Sequence, residues 1–236
     1  METRRGEVSG VLLAEPLEQG SLSGAPSLRE AAYERIKDAI RHGVLQPGDP
    51  LTETRLSQWL GISRTPVREA LQSLAQEGLV QVIPGRAVTV AAPSVEDTLS
   101  AIHVRSLLEP VVVRLATDAI SSVALEKLWR VLLVMEQAAT VGDRPTWSKA
   151  DTQYHEMISA ACPNQLLAEL SLQIRNRVSF IAIDSKTSPE RLIACTAEHR
   201  QIVECMAQRD AQAAEQAMRD HLRILWESTV RRFNHR

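Results

Sequence analysis

The sequence predicts a mainly α protein in two parts. The first is an N-terminal winged helix-turn-helix of three helices plus a β-hairpin wing. The second is an all-α bundle of six or seven helices. Two observations predict this. Residues 28–92 run helix, helix, tight turn, helix, and then two β-rich stretches around a Pro-Gly pair. From Pro93 onward the 144 positions 93–236 carry only helical periodicity.

Residues 1–27 contain Gly6, Gly10, Gly20, Gly24, Pro16 and Pro26 with scattered serines and no sustained period, and they read as a flexible tail. A helical pattern begins at Leu28, with Tyr33, Ile36 and Ile40 on one stripe, and ends at Gly43. Pro47-Gly48 makes a turn. Leu51–Leu60 reads as a short amphipathic helix through Leu56 and Leu60, closed by Gly61. A third helix follows, with Ser63 or Thr65 as cap and Pro66 in the first turn, where a missing N–H costs nothing. Its buried stripe is Val67, Ala70, Leu71 and Leu74, and Gly78 stops it. Residues 79–83 and 86–90 are the hairpin strands. In the second part, helices fall near 94–119, 123–141, 145–161, 164–183, 189–207 and 210–231, separated by Ser121-Ser122, Gly142, Pro163 and Ser188-Pro189, with Asp210 capping the last.

Composition narrows the function. Hydrophobic residues make up 44% of the chain, enough for a core, and the formal net charge of −2 excludes a strongly basic packaging protein. A local basic face remains compatible with that total. Aromatics at 3% argue against single-strand binding on stacked platforms. No apolar run approaches the ~18 residues of a membrane span. The short apolar stretch Val11–Ala14 falls below the ~7–15 residues of a signal-peptide core. Cys162, Cys195 and Cys205 form no CxxC pair and read as reduced thiols, so the chain is expected in the cytoplasm.

At the start of the third helix the exposed residues are Ser63, Arg64, Thr65 and Arg68. Arg64 and Arg68 are four apart and share a face away from the apolar stripe. Two such arginines suit phosphates or guanine edges, and the hydroxyls suit phosphate near a helix N-terminus. Charge alone decides little, since residues 28–92 carry eight basic and seven acidic side chains. A protein-binding winged helix would look the same.

The string Leu60-Gly61-Ile62-Ser63-Arg64-Thr65-Pro66-Val67-Arg68-Glu69-Ala70-Leu71, preceded by Leu51-Thr52-Glu53 and followed by Glu77-Gly78-Leu79-Val80, resembles the DNA-binding domain of GntR-family transcriptional regulators over residues 28–92. The resemblance implies operator contacts by Arg64 and Arg68, phosphate contacts by Ser63 and Thr65, and approach of the wing glycine Gly85 to the DNA backbone. One position departs from the pattern. Where members often carry arginine after the helix-two glutamate, this chain has Thr54, with Arg55 next.

The bundle carries polar residues on apolar stripes. Asp151 and His155 lie with Trp147 and Ile158; His199 lies among Leu192, Cys195, Ile202 and Met206; His221 lies with Ala214, Ala217 and Leu225. A buried aspartate is costly unless paired or bound to metal. Facing helices with oxygen and imidazole donors are how bundles hold internal metals. One aspartate and three neutral histidines suit zinc, nickel, iron or manganese, although each histidine taken singly also fits a hydrogen-bonded core residue. His42, His103 and His235 show no such arrangement.

Asp151-x-x-x-His155 followed by His199 and His221, with Asn164 in the connection after Cys162-Pro163, resembles the FCD subgroup of GntR regulators over residues 95–231. The resemblance implies an all-α effector domain with a divalent metal on those four residues, zinc ahead of nickel or manganese. Ile102, Arg105, Glu109 and Val112 step along one stripe of the first bundle helix. Arg105 and Glu109 read equally as a structural ion pair. The resemblance implies that Arg105 contacts an effector carboxylate, a job its fork suits. Arg175 and Arg177 also stand where the family has arginines, and ligand contact and salt bridge stay open there.

These readings converge on a homodimeric transcriptional regulator of double-stranded operator DNA, reading an inverted repeat and controlled by a small carboxylate. A metal enzyme with a DNA-binding appendage is the competing class. No nucleophile–base pair, Walker loop or dinucleotide fingerprint supports it. Glu198, the nearest acid to His199, is expected to face away, because consecutive helical residues point about 100° apart. No enzyme activity is expected.

Overall fold

The structure is a computed structural model, and it describes residues 27–41, 43–83, 87–182 and 187–234. The expected flexible tail, apart from Ser27, lies outside these residues, as do Gly85, His42 and His235. The chain divides into two compact units, one running up to Ala91 and the other from Ala92 onward, the second also including Arg41–Gly43.

In the first unit the elements are α1 (Leu28–Arg41), β1 (Pro50–Leu51), α2 (Glu53–Leu60), α3 (Arg64–Gln76), β2 (Val80–Ile83) and β3 (Ala87–Val90). The predicted second helix loses its first residues for a local reason. Thr52 is extended (φ −108°, ψ 137°) and its hydroxyl accepts from the Arg55 N–H, which makes it the N-cap. Leu51 therefore belongs to a short strand, pairing antiparallel with Val88 in a sheet of order β1-β3-β2. Gly61 ends α2 in the left-handed region (φ 70°), where it carries no Cβ penalty. Ile36, Ile40, Leu56, Leu60, Val67, Leu71 and Leu74 on the helices and Leu51, Val80 and Val90 on the sheet are buried, so each of these elements turns apolar side chains inward.

The second unit contains α4 (Val95–Ala119), α5 (Ser122–Val141), α6 (Arg144–Ala161), α7 (Gln165–Ala182), α8 (Pro189–Ala207) and α9 (Ala211–Asn234). Side chains fix where these helices begin. Ser94 and Asp97 form a reciprocal capping box on α4, while Ser121, Asp143 and Ser188 cap α5, α6 and α8. Helix α4 packs on α6, α7 and α9, and α8 packs on α5 and α9. The largest fully buried side chains include Trp147 and Tyr154, both on α6. The Trp147 indole donates to Thr196 Oγ1 at 2.8 Å, and the Tyr154 hydroxyl donates to the His199 carbonyl at 3.1 Å. These two bonds hold α6 against α8 at the level where the inward polar residues lie. All three cysteines are buried and unlinked. Among the described residues no helix is long and apolar enough to cross a membrane.

Candidate metal centre and DNA-reading helix

Ser63, Arg64, Thr65 and Arg68 are all exposed on the first turns of α3. Ser63 occupies the N-cap position with no side-chain capping bond, and the first-turn N–H groups of α3 suit an anion there. Arg68 is engaged across the turn. Its Nε and Nη2 donate to the two carboxylate oxygens of Glu53 on α2, each at 2.7 Å. That fork-to-fork contact, helped by the charge of Arg64, holds Glu53 below the usual carboxylate range. Glu53 entered the sequence reading only as part of a motif. Nothing in single-helix spacing links it to a residue 15 positions away.

In the bundle, Asp151 and His155 from α6, His199 from α8 and His221 from α9 are all buried. His155 Nε2 lies 3.2 Å from His199 Nε2, and Asp151 Oδ1 lies 3.3 Å from His199 Nε2 and 3.7 Å from His155 Nε2. Each of the three histidines offers a ring nitrogen within 4.8 Å of those of the other two. Two nitrogens bound at ~2.0–2.1 Å to one tetrahedral zinc stand about 3.3 Å apart, so this spacing suits a shared cation. Burial, reinforced by the Arg175 charge and then by His199, pushes His155 well below its ordinary pKa. Burial and then the neighbouring His221 push His199 down to about 4. Both imidazoles are therefore neutral near pH 7, the form that donates to a metal.

The surrounding contacts orient the donors. His199 Nδ1 lies 2.7 Å from the Cys195 carbonyl oxygen. A carbonyl only accepts, so the proton sits on Nδ1 and the lone pair on Nε2, toward His155 and Asp151. The other oxygen of Asp151 accepts from Arg175 Nη2. His221 Nδ1 lies 2.7 Å from Glu198 Oε2. Glu198 thus points to the site, against the expectation that it faces away. The 100° step does turn it off the direction of His199, but the next helix in that direction is α9. Burial alone would raise Glu198, yet its bonds to His221 and Arg191 outweigh that and hold it low.

Arg105 does not present an open fork. Its Nε donates to Glu109 Oε1 at 2.5 Å, both side chains are buried, and Glu109 Oε2 lies 3.7 Å from His155 Nδ1. Beside this pair a narrow cleft, with room for about one water, is lined by Glu109, His155, Ser159, Ser171 and Arg175, with apolar walls that include Val112 and Met218.

Two family models match the chain. The model described as bacterial regulatory proteins, gntR family, covers residues 28–90, and the FCD domain model covers residues 100–224. The chain is a GntR-family transcriptional regulator of the FCD subgroup. This GntR regulator is 27% identical over 210 residues to the HTH-type transcriptional repressor RspR of Escherichia coli strain K12, covering 88% of the chain and 91% of RspR. It is 36% identical over 158 residues to an uncharacterized HTH-type transcriptional regulator of the TAR-I ttuE-ttuC' intergenic region of Agrobacterium vitis, covering 64% of the chain and 91% of that protein. Its fold is similar to that of E. coli McbR/YncC, with a TM-score of 0.80 at 22% identity over 89% of this chain and 100% of that one. It is a DNA-binding transcriptional regulator.

Proposed function

We propose that this regulator binds an inverted-repeat operator as a homodimer, and that a small carboxylate effector bound beside a divalent metal controls that binding. In the DNA-binding unit Arg64 and Arg68 read or grip the duplex, Ser63 and Thr65 contact phosphate, and Gly85 in the wing approaches the backbone. In the bundle Asp151, His155, His199 and His221 hold the metal, with zinc favoured over nickel or manganese. The observation that carries the reading is the convergence of one carboxylate and three histidines in a buried centre, with burial favouring the neutral form of His155 and His199. A bound metal supplies positive charge that attracts a carboxylate. Arg105 and Arg175 stand on neighbouring helices, each already donating to a carboxylate, Arg105 to Glu109 and Arg175 to Asp151, so an acid enters by displacing one of those partners. An effector switches the protein only by binding one arrangement better than the other. Helix α4, which carries Arg105, begins at Val95, a few residues after β3 ends at Val90, so chain connectivity alone offers a route to the DNA-binding unit.

Two measurements test the DNA half. Arg64→Ala and Arg68→Ala each cost ~1–3 kcal/mol in operator affinity where the side chain reads a base, and weaken all sequences about equally where it grips phosphate. Gel-shift titration at fixed salt separates the two outcomes, and wild-type affinity in both variants removes α3 as the reading helix. Sedimentation with footprinting tests symmetry. A dimer protecting two half-sites about one helical turn apart, or a multiple of that, is expected. A monomer protecting one half-site contradicts it.

A further inference from the structure

Metal-binding imidazoles need one nitrogen turned inward with its lone pair free, and that requires something outside to hold the proton on the other nitrogen. For His199 the backbone does this through the Cys195 carbonyl, one turn earlier on the same helix. His221 stands alone on α9 and has a side chain opposite its outer nitrogen. Glu198 Oε2 lies 2.7 Å from His221 Nδ1. Glu198 is itself clamped from two turns back on α8, where Arg191 Nη1 donates to Oε1 at 2.8 Å and Nη2 to Oε2 at 3.4 Å. The chain Arg191–Glu198–His221 thus runs from the rim of the bundle to the buried centre, with side-chain exposure falling from 24% at Arg191 to 14% at Glu198 and 3% at His221.

We propose that Glu198 is a positioning residue for the metal centre: it fixes His221 as the Nδ1–H tautomer and turns Nε2 toward Asp151, His155 and His199. The inference rests on the metal reading above and adds a residue outside the four donors. A carboxylate is an acceptor only, so the bond to Nδ1 dictates which nitrogen carries the proton. It also strengthens the ligand, since a proton shared with an anion leaves more electron density on the opposite nitrogen. Arg191 fixes the rotamer of Glu198. Cys195, Glu198 and His221 also lie within 4.8 Å of one another. The Arg191 cation on Glu198 makes that trio a poor second cation site, and the bond to Nδ1 uses the one His221 nitrogen that faces Glu198.

The experiment is a zinc competition titration against a chromophoric chelator, on metal-free full-length wild type, Glu198→Gln and Glu198→Ala. The wild type is expected to bind tightly, Glu198→Ala about 10–100-fold more weakly, and Glu198→Gln in between, because the amide oxygen keeps the acceptor without its charge. Nitrogen-15 spectra of the histidine rings give a readout that general loosening would not move. His221 is Nδ1–H in the metal-free wild type and shifts toward the other tautomer in Glu198→Ala. Should Glu198→Ala fail to fold, Glu198→Gln carries the comparison through its smaller loss and retained tautomer. Wild-type zinc affinity in both variants, or an unchanged His221 tautomer in Glu198→Ala, overturns the role of Glu198 while leaving the metal centre standing. A wild type that takes up no zinc overturns the metal reading itself, and the role of Glu198 falls with it.

Discussion

Stripping the metal lowers the melting temperature at neutral pH, and acid then lowers it further. Each effect has its own cause. A ligand that binds only the folded state adds RT ln(1 + [L]/Kd), about 2.7 kcal/mol at a hundredfold excess over Kd and about 4.1 at a thousandfold. The acid effect belongs to the metal-free protein. His199 is held down to about 4 by burial and by His221, whereas the unfolded chain takes its proton near 6.5. Between those values the unfolded state binds more protons than the folded state, so stability rises with pH. The contribution is fully present above pH 6.5 and is lost as pH falls toward 4, on the order of 3 kcal/mol for His199 alone. His155, shifted in the same direction, adds to it. Thermal melts with zinc and with a chelator, repeated from pH 7 down to 4, measure both. His199→Ala is expected to abolish the zinc dependence and flatten the acid limb. Identical melts with zinc and with chelator at every pH would eliminate the metal site.

The fold was legible because its signals are local. Each helix of the bundle begins at a capping side chain or a proline, and the stripe between caps repeats every three to four residues. Strand β1 was not legible. Two residues carry no period, and what separates Leu51 from α2 is the extended backbone of Thr52 together with a pairing to Val88 far along the chain. The site divides along the same line. Asp151 and His155 are one turn apart, so sequence puts them on one face, and the apolar neighbours of His199 and His221 mark those positions as inward. The bonds of Glu53 to Arg68, of Glu198 to His221 and of Arg175 to Asp151 each join two helices. Spacing within one helix cannot reveal them, because they depend on how α2 meets α3, α8 meets α9 and α6 meets α7.

Arg105→Ala destabilises the protein strongly, and that must be separated from any effect on the effector. Arg105 and Glu109 form a buried pair in which Arg105 Nε lies 2.5 Å from a carboxylate oxygen. Removing the arginine strands a buried carboxylate, which costs about 3–5 kcal/mol, more than the pair itself contributes. A stranded Glu109 would also face His155 Nδ1 at 3.7 Å without its arginine, so metal affinity would change too. Loss of the effector response in Arg105→Ala alone would therefore say little. The double variant Arg105→Ala, Glu109→Gln removes the unpaired charge, and it is expected to recover most of the lost stability and bind zinc. A screen of hydroxy- and dicarboxylic acids on the wild type should first find one that shifts melting temperature and operator affinity together. If Arg105 holds the effector carboxylate, the acid displaces Glu109 from the fork on binding, and the double variant loses both shifts while keeping its metal and its unliganded DNA binding. If the double variant responds to the acid as the wild type does, Arg105 is the structural partner of Glu109, and the donor facing the cleft is Arg175.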